Sequence, residues 1–96
     1  MSPKNKKKLN LIRIKLDKLD NKLLDLIKYR TFIVKEVLKL KEFKKEIVDK
    51  KRINFILNKI KDKSKKLNID PKITNRIWKN MIWSYIDYER RNFKKK

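Results

Sequence analysis

Apolar side chains recur at alternating spacings of three and four residues through the first forty positions of the chain. This spacing places them along one side of a helix, as in a heptad repeat. It predicts one long N-terminal helix over about residues 8–41. The apolar stripe consists of Leu9, Ile12, Leu16, Leu19, Leu23, Leu26, Arg30, Ile33, Val37 and Leu40.

Two shorter amphipathic segments follow, and they predict helices over about residues 50–66 and 71–93. Asp49 is suited to cap the first of them, and Asp70 followed by Pro71 marks the start of the second. No stretch alternates as a strand would. The pattern predicts an all-α fold with three helices in a single domain over residues 1–96, and the basic ends, 1–7 and 94–96, are expected to fray.

The length of the first segment bears on assembly. At about 1.5 Å per residue it spans on the order of 50 Å, whereas a compact monomer of this size is only about 30–35 Å across. A single chain therefore leaves part of the apolar stripe uncovered. We expect an intertwined homodimer in which two long helices pair and the shorter helices wrap around them.

Composition removes several classes of chemistry. The chain has 96 residues and no Cys, His or Gly. Disulfides, thiolate metal sites, histidine catalysis and glycine-rich phosphate loops are thereby excluded, and we expect neither a metal nor a cofactor. No apolar run approaches the roughly 18 residues of a membrane helix, and no signal peptide is evident. We expect a cytoplasmic protein that does not bind membranes.

The net charge of +20 raises the alternative of a basic, helical nucleic-acid-binding dimer. However, the basic residues are spread along the whole chain, and no recognition motif appears. Abundant lysine and missing alanine are also the bias expected of an AT-rich genome. The sequence therefore favours a different partner.

Two charged residues interrupt apolar stripes. Arg30 stands where the first stripe calls for an apolar side chain, and Glu89 interrupts a stripe of Ile82, Tyr85, Ile86 and Phe93. A charge on a buried stripe is costly unless it meets an opposite charge. Arg30 and Glu89 either pair with each other or face a ligand.

The stretches "IRIKLDKLDNKLLDLIKYRTFIVKEVLKLK", "VDKKR" and "NIDPKITNRIWKNMIWSYIDYE" together resemble the small all-helical (type II) chorismate mutases. The resemblance runs from about residue 9 to 90. Its most specific part is an Ile-Arg step, a Leu-Asp pair, a double leucine, and then Arg30 and Lys41 eleven residues apart.

This resemblance implies an intertwined homodimer that converts the dicarboxylate chorismate to prephenate for phenylalanine and tyrosine biosynthesis. The reaction is a pericyclic [3,3] shift within one molecule, so it needs no nucleophile, metal or cofactor. It requires the chair-like conformer to be held and charge on the breaking ether oxygen to be stabilised.

The resemblance also assigns roles to individual residues. Arg30 would bind one carboxylate, Arg13 would reach in from the other protomer, and Lys41 would donate to the ether oxygen. Arg52 would position the substrate, and the backbone of Asp49 would lie near the substrate hydroxyl. Tyr85 and Glu89 stand where the family commonly has a small hydroxyl residue and a glutamine. The implied site residues are Arg13, Arg30, Lys41, Asp49, Arg52, Tyr85 and Glu89.

Three positions depart from the common pattern and leave a second reaction open. Ile53 replaces a glutamate, Tyr85 replaces the hydroxyl residue, and Glu89 replaces the glutamine, as it does in the fungal branch. Ile53 and Tyr85 resemble the related isochorismate pyruvate lyases, which form salicylate and pyruvate on the same fold. Because a carboxylate cannot donate a hydrogen bond, Glu89 would assist the reaction only when protonated.

Overall fold

The computed structural model describes residues 1–94, which form three α-helices. These are α1 (Pro3–Leu40), α2 (Lys50–Lys66) and α3 (Pro71–Asn92), with a short 3₁₀ turn at Lys44–Glu46 between the first two. No strand occurs among the described residues, and α1 alone has 38 residues, about 57 Å of helix. The predicted all-α class with one long N-terminal helix is confirmed.

The start of α1 lies five residues before the predicted position 8. The Ser2 hydroxyl accepts a hydrogen bond from the backbone N–H of Asn5 at 3.2 Å, and Pro3 occupies the first helical position. A serine cap followed by proline favours helix initiation. Helix α1 therefore includes residues 3–7 of the segment that the sequence analysis expected to fray. At the other end Lys94 lies beyond α3, and residues 95 and 96 lie outside the described part.

The two later helices begin at the predicted caps. The Asp49 carboxylate accepts from the backbone N–H of Arg52 at 3.0 Å, and Asp70 accepts from the backbone N–H of Lys72 at 2.9 Å. Each aspartate satisfies a backbone donor that the first turn leaves without a helical partner. The helix ends at Lys66 and Asn92 also agree with the sequence prediction to within one residue.

The turn between α2 and α3 depends on Asn68, whose φ of 57° lies in the left-handed region. The backbone N–H of Ile69 bonds to the Ser64 carbonyl at 2.8 Å, and that of Asn68 bonds to the Lys65 carbonyl at 3.2 Å. These two bonds form a Schellman motif, which usually places glycine at the left-handed position. In a chain without glycine, asparagine is the residue that tolerates this conformation best.

The chain divides into two compact units. The first, Met1–Val34, consists of a single stretch of α1 after its cap. Six apolar members of its stripe, from Ile12 to Ile33, remain between 46% and 64% exposed. Within the described residues no helix is both long and apolar enough to cross a bilayer.

The second unit takes in the chain from Lys35 onward. Here α2 packs against α3, and Ile47, Ile82 and Ile86 form a buried core. Val48, Ile53, Ile56, Leu57 and Phe93 pack around that core and are partly buried.

A buried polar contact holds the other end of the α2–α3 pair. The hydroxyls of Ser64 and Thr74 lie 2.7 Å apart, and Ser64 also donates to the Ile60 carbonyl at 2.6 Å. Both side chains are buried, so each hydroxyl depends on these partners for hydrogen bonding. The contact fixes the register of α2 against α3 close to the Asn68 turn.

The positive φ of Asn68 gives a direct stability prediction. Asn68→Ala should destabilise the fold by about 1 kcal/mol, because the alanine Cβ clashes in the left-handed conformation. Asn68→Gly should be neutral or stabilising, since glycine adopts this conformation without strain. Urea denaturation of both variants at one protein concentration provides the measurement. Equal stability of the two variants would contradict the assigned turn.

Candidate active site

A buried ion pair joins the residue that follows α1 to the inner face of α3, close to the C-terminal end of that helix. The Lys41 ammonium nitrogen lies 2.9 Å from Oε1 of Glu89, and their side chains are 18% and 8% exposed. The backbone N–H of Lys41 bonds to the Leu38 carbonyl at 3.2 Å, which fixes the residue at the helix end. Glu89 lies one turn beyond Ile86 and two turns beyond Ile82, on the face that forms the core.

This ion pair is unusual energetically. Among residues 1–94, Glu89 is the one charged residue that is buried. Moving two charges out of water costs several kcal/mol each, and the attraction between them seldom repays more than that cost. Apolar residues at both positions would be at least as stable, so stability alone does not explain the pair.

The lysine of this pair opens onto a recess of about 630 Å³. The recess is lined by Lys41, Glu46, Val48, Asp49, Lys50 and Lys51. Two of the predicted site residues, Lys41 and Asp49, therefore face one space together. Its wall carries three lysines and two carboxylates, and Lys41 is also paired with Glu89, so the lysines supply hydrogen-bond donors for an anionic ligand without an excess of charge.

Glu46 is a lining residue that the sequence analysis did not single out. Its carboxylate accepts from the backbone N–H of Phe43 at 3.2 Å across the 3₁₀ turn. A glutamate three residues after the first residue of a turn commonly makes this capping contact. The spacing between Phe43 and Glu46 was therefore the sequence signal for it. Glu46 thereby orders the segment between Lys41 and Asp49.

Arg52 and Ile53 occupy the first turn of α2. The Arg52 guanidinium carbon lies 5.4 Å from the centre of the Phe55 ring, and its backbone N–H is the donor to Asp49. Ile53 is partly buried against the core of the second unit. Ile53 therefore contributes to packing, at a position where the family that the sequence resembles commonly has glutamate.

Tyr85 lies one turn before Glu89 on α3 and is half-buried. Positions four apart share a helix face, so the tyrosine and the glutamate point to the same side. Of the predicted site residues, the second unit contains Lys41, Asp49, Arg52, Tyr85 and Glu89.

Arg13 and Arg30 belong to the first unit, where Arg13 is exposed and Arg30 is half-buried. Seventeen positions along one helix separate them by about 26 Å and rotate them by about 100°. One small ligand cannot contact both arginines of the same chain. Within the second unit, the Lys41 ammonium donates to Glu89 and gives this carboxylate a cationic partner.

Comparison with known proteins identifies the family. Residues 12–90 match the family model described as chorismate mutase type II. No curated protein and no solved structure matches the chain. The matched region includes all seven residues that the sequence analysis assigned to a site, and it runs through all three helices. This chain therefore belongs to the type II chorismate mutase family.

Proposed function

We propose that this chain is a chorismate mutase, which converts chorismate to prephenate by a [3,3] shift. The observation that carries the proposal is the buried Lys41–Glu89 pair beside a recess lined by three lysines, in a chain of the chorismate mutase type II family. A buried pair that stability does not explain is expected where charged groups serve a ligand. The lysines of the recess are hydrogen-bond donors for the carboxylates of such a substrate.

The chemistry follows from the donors available. An ammonium group has three N–H donors, so Lys41 can keep its bond to Glu89 and still donate to the ether oxygen and a carboxylate. Donation to the ether oxygen stabilises the negative charge that develops as the C–O bond breaks. Arg30 and Arg52 would hold the carboxylates by their forked donors and fix the chair-like conformer.

Glu89 would contribute a second donor to the ether oxygen, through a carboxylic acid rather than an amide. Its Oε1 already accepts from Lys41, which leaves Oε2 to carry a proton toward the substrate. Protonation of Glu89 in the substrate complex is therefore the condition for its participation.

We further propose that the enzyme is a homodimer in which Arg13 of one protomer completes the site of the other. Six apolar side chains of the α1 stripe are about half exposed in the single chain, and monomeric proteins rarely leave so continuous an apolar surface uncovered. Arg13 and Arg30 of one chain are also too far apart to bind one substrate. A second copy would resolve both problems.

The second candidate reaction is the isochorismate pyruvate lyase reaction. It is favoured by Ile53, which packs against the core and presents no carboxylate for the substrate hydroxyl, and by Tyr85 on the Glu89 face. Asp49 and Glu89 favour the mutase. Incubating the protein separately with chorismate and isochorismate separates the reactions, because prephenate forms in one case and salicylate with pyruvate in the other.

Removal of Arg30 should abolish activity without unfolding the protein. We expect Arg30→Ala to lower kcat/KM at least about 100-fold, since a substrate carboxylate loses its partner. Arg30→Leu should be equally inactive and at least as stable as the native chain, because leucine continues the apolar stripe. Arg91→Ala, which removes an exposed arginine paired with Asp87, is the control and should retain full activity. Wild-type turnover by Arg30→Leu would contradict the proposal.

Mixing two inactive variants tests the shared site. Arg13→Ala and Arg30→Ala dimers should each be inactive, but mixed dimers contain one site with both arginines intact. Random reassociation makes half of the dimers mixed, so activity should return to about a quarter of the wild-type value. Kinetic assay after mixing under mild denaturant gives the result. No recovery, with mixed dimers demonstrated by mass spectrometry, would contradict a site shared between the protomers.

The proton on Glu89 predicts a pH dependence. Turnover should fall as pH rises, by up to about tenfold per pH unit once Glu89 is ionised, because the carboxylate has no proton to donate. Glu89→Gln keeps a donor at every pH and should flatten the profile between about pH 5 and 8. Glu36→Gln, an exposed carboxylate paired with Lys39, is the matched control and should leave the profile unchanged. A flat profile for the native enzyme would exclude this role of Glu89.

A further inference from the structure

One exposed face of α3 carries basic residues at helical spacing around a tryptophan. Lys72, Arg76, Lys79, Trp83 and Arg90 lie within about 60° of one another around the helix axis and extend along about 27 Å of it. All five are exposed, and Trp83 is 51% exposed. We call these five residues the cationic face.

The high lysine content of the chain does not explain why this face carries two arginines. Of 31 basic residues only six are arginine, and three of those, Arg13, Arg30 and Arg52, are assigned to substrate in the proposed site. Arg91 pairs with Asp87. The remaining two, Arg76 and Arg90, lie seven positions before and after Trp83. Arginine differs from lysine in binding phosphate through two parallel donors and in stacking on planar rings.

The charges of the cationic face are available for a partner. Within residues 1–94, Lys72, Arg76, Lys79 and Arg90 form no ion pair. On α3 the carboxylate nearest to this face is that of Asp87, and its Oδ2 accepts a hydrogen bond from Nε of Arg91 at 2.8 Å. The face therefore keeps a positive charge of four, with an indole in the centre.

The cationic face is separate from the candidate active site. Tyr85 and Glu89 lie at least about 120° away from Trp83 around the α3 axis. A ligand on the outer face thus leaves the inner face accessible, and the two functions do not compete for α3.

We propose that the cationic face binds single-stranded nucleic acid, with phosphates on the four cations and a base stacked on Trp83. The spacing of cations along about 27 Å suits a site of about four nucleotides, the short end of known single-strand sites. A duplex does not fit this arrangement, because its bases are already stacked and cannot reach the indole. A membrane surface does not fit either, since an interfacial helix needs a continuous apolar face beside its basic residues. The exposed isoleucines of α3, Ile73 and Ile77, share their side of the helix with the polar residues Asn80, Ser84 and Asp87, so the apolar surface there is not continuous.

This proposal goes beyond the mutase reaction and does not depend on it. The DNA and RNA forms share the phosphate and base groups that the face would contact, so we expect both to bind. The sequence alone did not favour a nucleic-acid partner, because the cations are spread along the chain. Those of α3 lie on one side of the molecule only once the helix has formed.

The test measures binding of fluorescein-labelled 20-nucleotide oligo(dT) and oligo(U) to the full chain by anisotropy, from 50 to 200 mM salt. Trp83→Ala should weaken binding about tenfold with the salt dependence unchanged, because it removes a stacked base and no charge. Arg90→Ala should also weaken binding, and it should lower the slope of log Kd against log salt by about 0.7. Trp83→Phe, which keeps an aromatic face, should restore most of the lost affinity.

Lys61→Ala is the charge-matched control, since it removes one positive charge from an exposed position on α2, outside the cationic face. It should change Kd less than twofold. Heparin, a polyanion without bases, should bind the native chain and Trp83→Ala equally.

The proposal would be overturned by no binding of either oligonucleotide, by equal effects of Arg90→Ala and Lys61→Ala, or by equal affinity of the native chain and Trp83→Ala for oligo(dT). Circular dichroism of each variant confirms that the fold is intact. Tighter binding to anionic vesicles than to oligonucleotides would assign the face to membranes instead.

Discussion

The bond between Lys41 and Glu89 is the interaction on which the proposed chemistry of this chain depends. It ties the residue after α1 to α3 at 2.9 Å, beside a core of only three buried isoleucines. An ion pair in this position contributes little net stability, yet removing one partner leaves a charge without compensation. In the proposed enzyme, Lys41 and Glu89 are a donor and an acceptor positioned for a ligand. They occupy space beside a small core in which apolar side chains would otherwise pack.

In the two proposals, helix α3 carries two kinds of recognition. Its inner face presents Tyr85 and Glu89 among apolar side chains, whereas its outer face presents Trp83 among cations. Five of the six arginines are assigned in these proposals to a carboxylate or a phosphate, which suits their paired donors, and Arg91 pairs with Asp87. Charge that looks uniform along the sequence is therefore organised by the periodicity of the helix.

Much of the fold follows from local pattern. The heptad spacing, Asp49, and the Asp70–Pro71 pair located three helices, because caps and apolar periodicity are properties of neighbouring residues. The early start at Ser2 was missed, since the lysines after it carry no periodic signal. The left-handed conformation of Asn68 was not predicted, because asparagine stands where such turns usually have glycine.

The candidate site was less predictable from the residues alone. The interruption of an apolar stripe singled out Glu89, but its bond to Lys41 spans 48 positions, and no local rule specifies such a contact. Glu46 was missed for a similar reason, since its role is to cap a short turn. Recognition of the family motif supplied the remaining residues.

The uncovered stripe of α1 has a consequence for how the protein folds. A 38-residue helix with half-exposed leucines along one side gains most of its stability only when another surface meets it. In the proposed dimer, folding of Met1–Val34 and association become a single event, so the melting temperature rises with protein concentration. Dilution would then remove structure and the shared active site together.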